Sequence, residues 1–384
     1  MYLNWKDGDF LLNFDKPNLR MIKQLDWKLI GIVLAIFLYG LVILSSATHV
    51  NANGSYFQMI KQIAAFCIGL ALIGLILTID YNFMGKYYKE LYLISLVLLV
   101  LVLFPGIGTA HAGARSWLNL GPLDLQTSEI VKITFILSYA KIVESRRDKI
   151  RTVKDLIPLA VYAIPFIGLL LAQPDLGTAI VFMCIIVAMI FTAGLDANLI
   201  KKGFIIILVL LPIMYLLMAP HQKRRIEAFL HPNDITLAGN YQVSQSLIAI
   251  GSGGVLGKGL YNGSQNQEDF LPVQDSDFIF AVIGEELGAI GMAIMMGLFV
   301  AFLFRLIYAA QQAKDFYGTL IVIGVFGMFA YQIIQNIGMT VAVIPVTGVT
   351  LPFVSYGGSS MLTSLANLGL VMNVYMRKNK INFG

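Results

Sequence analysis

The sequence predicts an all-α polytopic membrane protein of about ten transmembrane helices with both termini cytoplasmic, and three observations predict it. Of its 384 residues 58% are hydrophobic and only 13% charged, where a soluble domain carries about a quarter charged residues. The mean hydropathy is +0.77, and the apolar excess runs along the whole chain rather than forming one anchor. The apolar runs are also long and continuous, whereas a membrane β-barrel shows short alternating segments. A soluble globular domain and a disordered chain are excluded. Cys67 and Cys184 both lie inside apolar runs and read as small hydrophobes rather than a disulfide. No Cys/His spacing suggests a metal site, and the net charge of +5 is explained by loop placement, so no nucleic-acid partner is implied.

A helix crossing about 30 Å of hydrocarbon needs about 20 residues, or slightly fewer with snorkelling ends. Ten runs meet this, at 29–47, 60–79, 91–108, 128–143, 156–172, 176–193, 203–219, 277–303, 317–339 and 356–376. Residues 1–28 form a polar N-terminal segment containing Lys6, Lys16, Arg20, Lys23 and Lys28, too long for a signal peptide and without a small-residue cleavage site. Residues 29–376 form a single transmembrane domain, and 377–384 a short tail. Counted on alternate sides of these spans, 20 Lys and Arg fall with the termini and 7 on the other face. The positive-inside rule therefore makes both termini cytoplasmic. One external segment, about 220–276, is far longer than the other connections. Its residues 241–250 carry an apolar/polar helical pattern that Gly251, Gly253 and Gly254 end, so it is expected to be an ordered cap lying on or dipping into the outer surface.

Ionisable groups at helix depth cost about 2.5–3.5 kcal/mol and default to functional hypotheses. Glu129 and Lys132 are three residues apart on one helical face. They read either as a self-contained ion pair or as a lysine reaching Asp175 at the same membrane level. Asp175 follows Pro174 and reads alternatively as a helix N-cap. Asp277 heads the eighth span and has the same two readings, N-cap or functional carboxylate. At 100° per residue Ala281, Gly284 and Gly288 fall within about 40° of it, which predicts a groove of small residues beneath the acid. Glu285 lies near that stripe, while Glu286, on the opposite face, reads as structural. Outside the membrane, Arg115 adjoins Trp117, an interfacial anchor. Arg115 and Lys132 suit phosphate oxygens, with Arg224 and Arg225 as further external cations beside Lys223. Lys258, between two glycines, does not match a Walker A loop. A Pro/Gly-rich turn from Pro345 through Ser359 and Ser360 feeds the last helix, and non-helical backbone at that depth must be buried or line a cavity. An acidic and basic external cavity beneath a large cap describes either an enzyme acting on an amphiphile or a transporter.

At these residues the chain resembles the SEDS family (shape, elongation, division and sporulation), polytopic cell-wall polymerases. GARSWLNLG, QTSEIVK, QPDLGTAIVF, YQVSQSLIAIGSGGVLGKG, FLPVQDSDFIFAVIGEELG, NIGM and PVTGVTLPFVSYGGSS occur in the family's order from about 113 to 376. The resemblance implies a peptidoglycan glycosyltransferase that polymerises lipid II, the undecaprenyl-diphosphate-linked disaccharide-pentapeptide, at the outer face of the bacterial cytoplasmic membrane. It also implies Asp277 as general base; beside it, Arg115 and Lys132, and in second place Arg224 and Arg225, are the cations expected to bind the diphosphate. Trp117, Glu129, Asp175, Glu285, Lys258 and Ser359 would support the site. The implied partners are a class B penicillin-binding protein and the rod-complex membrane proteins. No cofactor is evident, and a divalent cation is compatible although no ligand cage is visible. NIGM and GSQNQEDFLP look more like the branch that serves elongation and rod shape than the division or sporulation members. Two positions depart from the family pattern. Thr127 replaces the proline of Gln-Pro-Ser-Glu, and Asp275-Ser276-Asp277-Phe278 stands where the family has His-Thr-Asp-Phe, adding a second carboxylate two residues before the acid. A lipid-linked precursor transporter is the competing class.

Overall fold

The computed structural model describes residues 23–49, 57–104, 108–111, 114–119, 124–147, 150, 152–195, 201, 220–231, 234, 237 and 239–378. Nine of the ten expected spans fall on helices: α1 (Trp27–Ala47), α2 (Phe57–Thr78), α4 (Tyr88–Leu101), α5 (Thr127–Glu144), α6 (Val153–Ala172), α7 (Leu176–Thr192), α11 (Ile279–Gln311), α12 (Phe316–Thr340) and α13 (Gly358–Met376). The expected span at 203–219 lies outside the described residues. Short α3 (Tyr81–Lys86) precedes α4, and α8 (Pro220–Leu230), α9 (Asn240–Gly253) and α10 (Ser264–Gln267) occupy the long external segment. Among the described residues five helices, α1, α2, α6, α11 and α12, are long and apolar enough to cross a bilayer unaided.

The end of one span departs from expectation. The run at 91–108 stays helical only to Leu101, because Pro105 and Gly106 cannot continue a helix. Beyond it the chain forms a three-stranded antiparallel sheet, β1 (Gly108–His111), β2 (Ala114–Asn119) and β3 (Asp124–Gln126), in the order β1-β2-β3. Trp117 pairs with Thr109 on one side and Gln126 on the other. Strands of three to six residues are too short to register as an alternating pattern, so the sequence does not announce this departure from an all-α chain.

α12 is the central helix, packed on α5, α7, α11 and α13, while α13 lies along α2. At the end that the charge count assigns to the cytoplasm, Asp26 caps α1 by accepting from the Leu29 amide at 3.1 Å. Arg305 of α11 reaches the same carboxylate at 2.5 Å, tying the two helices together.

α11 holds the largest surprise. Its 33 residues amount to about 50 Å, and Gly288 adopts φ 65 and ψ −164, so the helix breaks there. The glycine-rich tip that follows α9 fills the break. Ala289 and Ile290 N–H donate to the carbonyls of Gly254 and Val255, while Lys258 and Gly259 N–H donate to those of Glu285 and Glu286. The tip thus satisfies the backbone groups that the break would orphan. The groove expected along Ala281, Gly284 and Gly288 is therefore occupied. A Cβ on Gly253 would meet the Gly284 carbonyl oxygen at 2.0 Å, and Ile250 covers Gly284. Small residues here admit a neighbouring helix, not a substrate. The described residues of the long external segment form an ordered cap that descends along α11, as its pattern suggested.

Candidate active site

Asp277 lies in the turn before α11, which opens at Val273, itself at φ 56. The N-cap of α11 is Phe278, without a side-chain cap bond, so Asp277 does not serve as the cap that its position also allowed. Its backbone is held instead from the opposite side. Tyr356 N–H donates to the Asp275 carbonyl at 2.8 Å, the Ser355 hydroxyl to that of Ser276 at 2.6 Å, and the Asn336 side-chain amide to that of Asp277 at 3.0 Å. Three consecutive carbonyls thus hang on α12 and the segment leading into α13. Ser355 also accepts from the Leu351 amide at 2.8 Å. Gln62 of α2 fixes the far side of that segment, donating to Ser355 O at 2.8 Å and accepting from Gly357 N at 3.2 Å.

The Asp277 carboxyl faces Gly348, on which a Cβ would stand 3.4 Å from its Oδ2. Enclosure by the protein pushes its pKa up to about 6; Asp275 adds to the rise, while the Arg225 guanidinium and a Ser276 hydrogen bond oppose it. Burial likewise raises Asp275. Arg225, on α8, reaches the Val346 carbonyl at 3.4 Å. It also lines a cleft of about 130 Å³ with Ala228, Phe229, Val243, Ile344 and Val346. One guanidinium among apolar walls beside a carboxylate suits an anionic head group carrying an apolar chain. Arg224 on the same helix is exposed.

The second cluster surrounds Lys132. Its Nζ lies 2.6 Å from Glu129 Oε1, both side chains buried, so the self-contained pair is the one that forms. Asp175 caps α7, accepting from Thr178 N–H at 3.0 Å and Thr178 Oγ1 at 2.8 Å. Burial raises the Asp175 pKa, and Lys132 is near enough to oppose it. Gln126 Nε2 lies 3.5 Å from Asp175 Oδ2, and Gln126 N–H donates to Ser359 Oγ at 3.3 Å. Trp117 is half-buried on β2 next to this group. The Arg115 backbone pairs with Ala110; its side chain lies outside the described residues. The two clusters share a wall. A Cβ on Gly177 would meet Thr347 O at 2.9 Å and Val349 Cγ2 at 3.0 Å, so the first turn of α7 presses on the residues flanking Gly348, whose other side faces Asp277.

Glu285 and Lys258 belong elsewhere. Glu285 is fully buried, paired with Lys258 Nζ at 2.8 Å and accepting from the backbone N–H groups of Gln265 and Asn266. Glu286 accepts from Ser46 Oγ at 2.6 Å and Asn266 Nδ2 at 2.9 Å. Glu285 ties Lys258 and α10 to α11, and Glu286 ties α10 to α1, so the hydrogen bonds of Glu285 and Lys258 are spent on the cap rather than on Asp277. Asn336 and Ser355 are the residues that individual inspection of the sequence missed. Both fall within quoted motifs, yet an uncharged side chain gives no sign that it holds a distant carbonyl. Among the described residues no group of three or more His, Cys, Asp or Glu is placed to hold a metal ion.

A family profile described as "Cell cycle protein" (FTSW_RODA_SPOVE) matches residues 26–380. Stage V sporulation protein E of Bacillus subtilis is 36% identical, over 91% of this chain and 96% of its own. "Peptidoglycan glycosyltransferase MrdB" of Escherichia coli K12 is 32% identical, over 96% and 99%. "Probable peptidoglycan glycosyltransferase FtsW" of Trichlorobacter lovleyi is 35% identical, over 92% and 93%. Among solved structures, a chain from "Structural coordination of polymerization and crosslinking by a peptidoglycan synthase complex" superposes with a TM-score of 0.80 at 34% identity, covering 93% of this chain and 99% of that one. The Thermus thermophilus rod shape determining protein RodA gives 0.69 at 32%, covering 93% and 98%.

Proposed function

This chain belongs to the FTSW_RODA_SPOVE family, and from that premise we propose that it is a peptidoglycan glycosyltransferase of the bacterial cytoplasmic membrane. It polymerises lipid II at the outer face, with residues 1–28 and 377–384 cytoplasmic. The acceptor hydroxyl attacks the anomeric carbon of the lipid-linked donor, its proton passes to Asp277, and polyprenyl diphosphate leaves with the bond electrons. The observation that carries this reading is the placement of Asp277, with its backbone fixed through three carbonyls and a pKa pushed up to about 6. A general base works best when its pKa lies near the operating pH. Arg225, beside the apolar cleft, is the cation nearest this acid in effect and stabilises the departing diphosphate. Arg115 and Lys132 remain second candidates, Lys132 with its charge already answered by Glu129. Diphosphate is a good leaving group, so one carboxylate with cations suffices.

The partner is a class B penicillin-binding protein, which the likeness to a chain of a polymerising and crosslinking complex supports. Further rod-complex membrane proteins join it. Of the family's roles we propose elongation, supported by NIGM and GSQNQEDFLP; names among the relatives divide between sporulation, FtsW and MrdB. The test is incubation of purified protein with labelled lipid II, with and without the partner, followed by separation of glycan chains on a gel. Chains made by the parent and lost in Asp277→Asn support the reading. Normal synthesis by Asp277→Asn overturns the base, and translocation without chains supports a transporter. Depletion in cells separates the roles, because loss of elongation gives spheres and loss of division gives filaments.

A further inference from the structure

Asn336 is fully buried on α12 and touches neither charge nor cleft. Its Nδ2 donates twice, to the Asp277 carbonyl at 3.0 Å and to the Val349 carbonyl at 2.9 Å. Val349 adjoins Gly348, the residue that faces the Asp277 carboxyl. One amide group therefore joins the backbone of the acid to the wall the acid looks at. The neighbouring clamps differ in kind. Tyr356 donates through its backbone, so no side-chain change there deletes the bond, and Ser355 acts on the residue before the acid. The Asp277 turn also needs holding. It begins at a non-glycine residue with positive φ, and it closes through 3.3 Å bonds from Ser276 and Phe278 N–H to Val273 O.

We infer that Asn336 is a positioning residue for the Asp277 carboxylate, setting the distance and angle of the acid to the 347–349 wall. This rests on the general-base reading of Asp277 for its effect on turnover, but the positioning itself is a geometric statement with its own readout. A misplacement of about 1 Å at a reacting group costs roughly 100-fold in rate, and the environment that raises the Asp277 pKa changes with its position.

The experiment uses the full-length protein with its partner and labelled lipid II. Asn336→Leu, nearly isosteric and without donors, is expected to keep the KM of the parent, lower kcat by roughly 100-fold and displace the acid limb of the pH–rate profile. Should Asn336→Leu fail to fold, Asn336→Gln replaces it, keeping both N–H donors but moving them out by one methylene. It is expected to show a smaller fall in kcat with the same displacement of the limb. A kcat and pH profile equal to the parent's in a folded variant overturns the inference, as does a rise in KM alone. The second readout needs no turnover. In Asp277→Cys protein, the rate at which a small methanethiosulfonate converts the thiolate to a mixed disulfide, releasing methanesulfinate, should change several-fold when Asn336→Leu is added. An altered modification rate, with no glycan made by the parent that keeps Asp277, refutes the polymerase reading and leaves the positioning intact. Glycan synthesis by the parent with an unaltered modification rate refutes the positioning alone.

Discussion

Lys132 and Glu129 form a 2.6 Å ion pair one helical turn apart on α5, with both side chains buried. Removing one member of a buried pair strands its partner and costs about 3–5 kcal/mol, whereas replacing both by neutral groups of similar size is often nearly neutral. Lys132→Met and Glu129→Gln should each lower thermal stability in detergent strongly, and the double variant should recover most of the loss. If the recovered double variant also polymerises lipid II, Lys132 is a structural cation and the diphosphate falls to Arg225. An inactive but stable double variant gives Lys132 a part in substrate binding.

The pH dependence of turnover follows from the charges around Asp277. Below about 6 its carboxyl is protonated and cannot accept the acceptor's proton, so kcat should rise with pH through about 6 and then level. Arg225 holds that pKa down and Asp275 pushes it up. Arg225→Met should therefore move the acid limb to higher pH, and Asp275→Asn to lower pH. Movement of both limbs in the same direction would refute this electrostatic assignment.

Stability should run opposite to activity at this position. The folded state raises the Asp277 pKa above its unfolded value, so it favours the neutral acid. That stabilisation is complete below the unfolded carboxylate range, near pH 4, and is lost as pH rises through about 6. Asp277→Asn, neutral throughout, should match the parent's melting temperature near pH 4 and exceed it at pH 8. Equal melting temperatures at pH 8 would mean that the carboxylate is held without strain.

What the sequence disclosed was decided by how far a signal travels along the chain. Membrane class and nine helices follow from local composition, and Asp277, Glu129, Lys132 and Asp175 stand out because charge is scarce in lipid. On sequence grounds Arg225 stands behind Arg115 and Lys132, because nothing in the segment 223–225 says which of its cations turns toward position 277. Asn336 escaped notice for a related reason: it acts on residues 59 and 13 positions away, and only folding brings them together. Periodicity places Ala281, Gly284 and Gly288 on one face without saying what covers it, and in the fold Ile250 and Gly253 pack there in place of an open groove. Glu285 lies near that stripe and, by resemblance, beside the site, while the chain packed into the break at Gly288 engages it with Lys258.

That packing gives the last prediction. Gly257 has φ +79, and a Cβ on it would come within 2.2 Å of the Glu286 carbonyl oxygen; one on Gly288 would come within 2.4 Å of Gly257 N. Neither contact is the end of a flexible side chain, so the backbone itself must move. Gly288 also combines positive φ with ψ −164, a region essentially confined to glycine and costing a few kcal/mol for other residues. Gly257→Ala and Gly288→Ala should each destabilise the protein by at least about 2 kcal/mol, measured as a fall in melting temperature. Gly254→Ala, whose Cβ meets nothing within 4 Å, should cost less, because only its backbone preference is offended. The cap carries α8 and α9 to the cleft beside Arg225, so loosening the tip should also increase protease cleavage between 220 and 276 before the transmembrane helices melt. Equal protection of all three variants would mean that the cap holds its place without the tip.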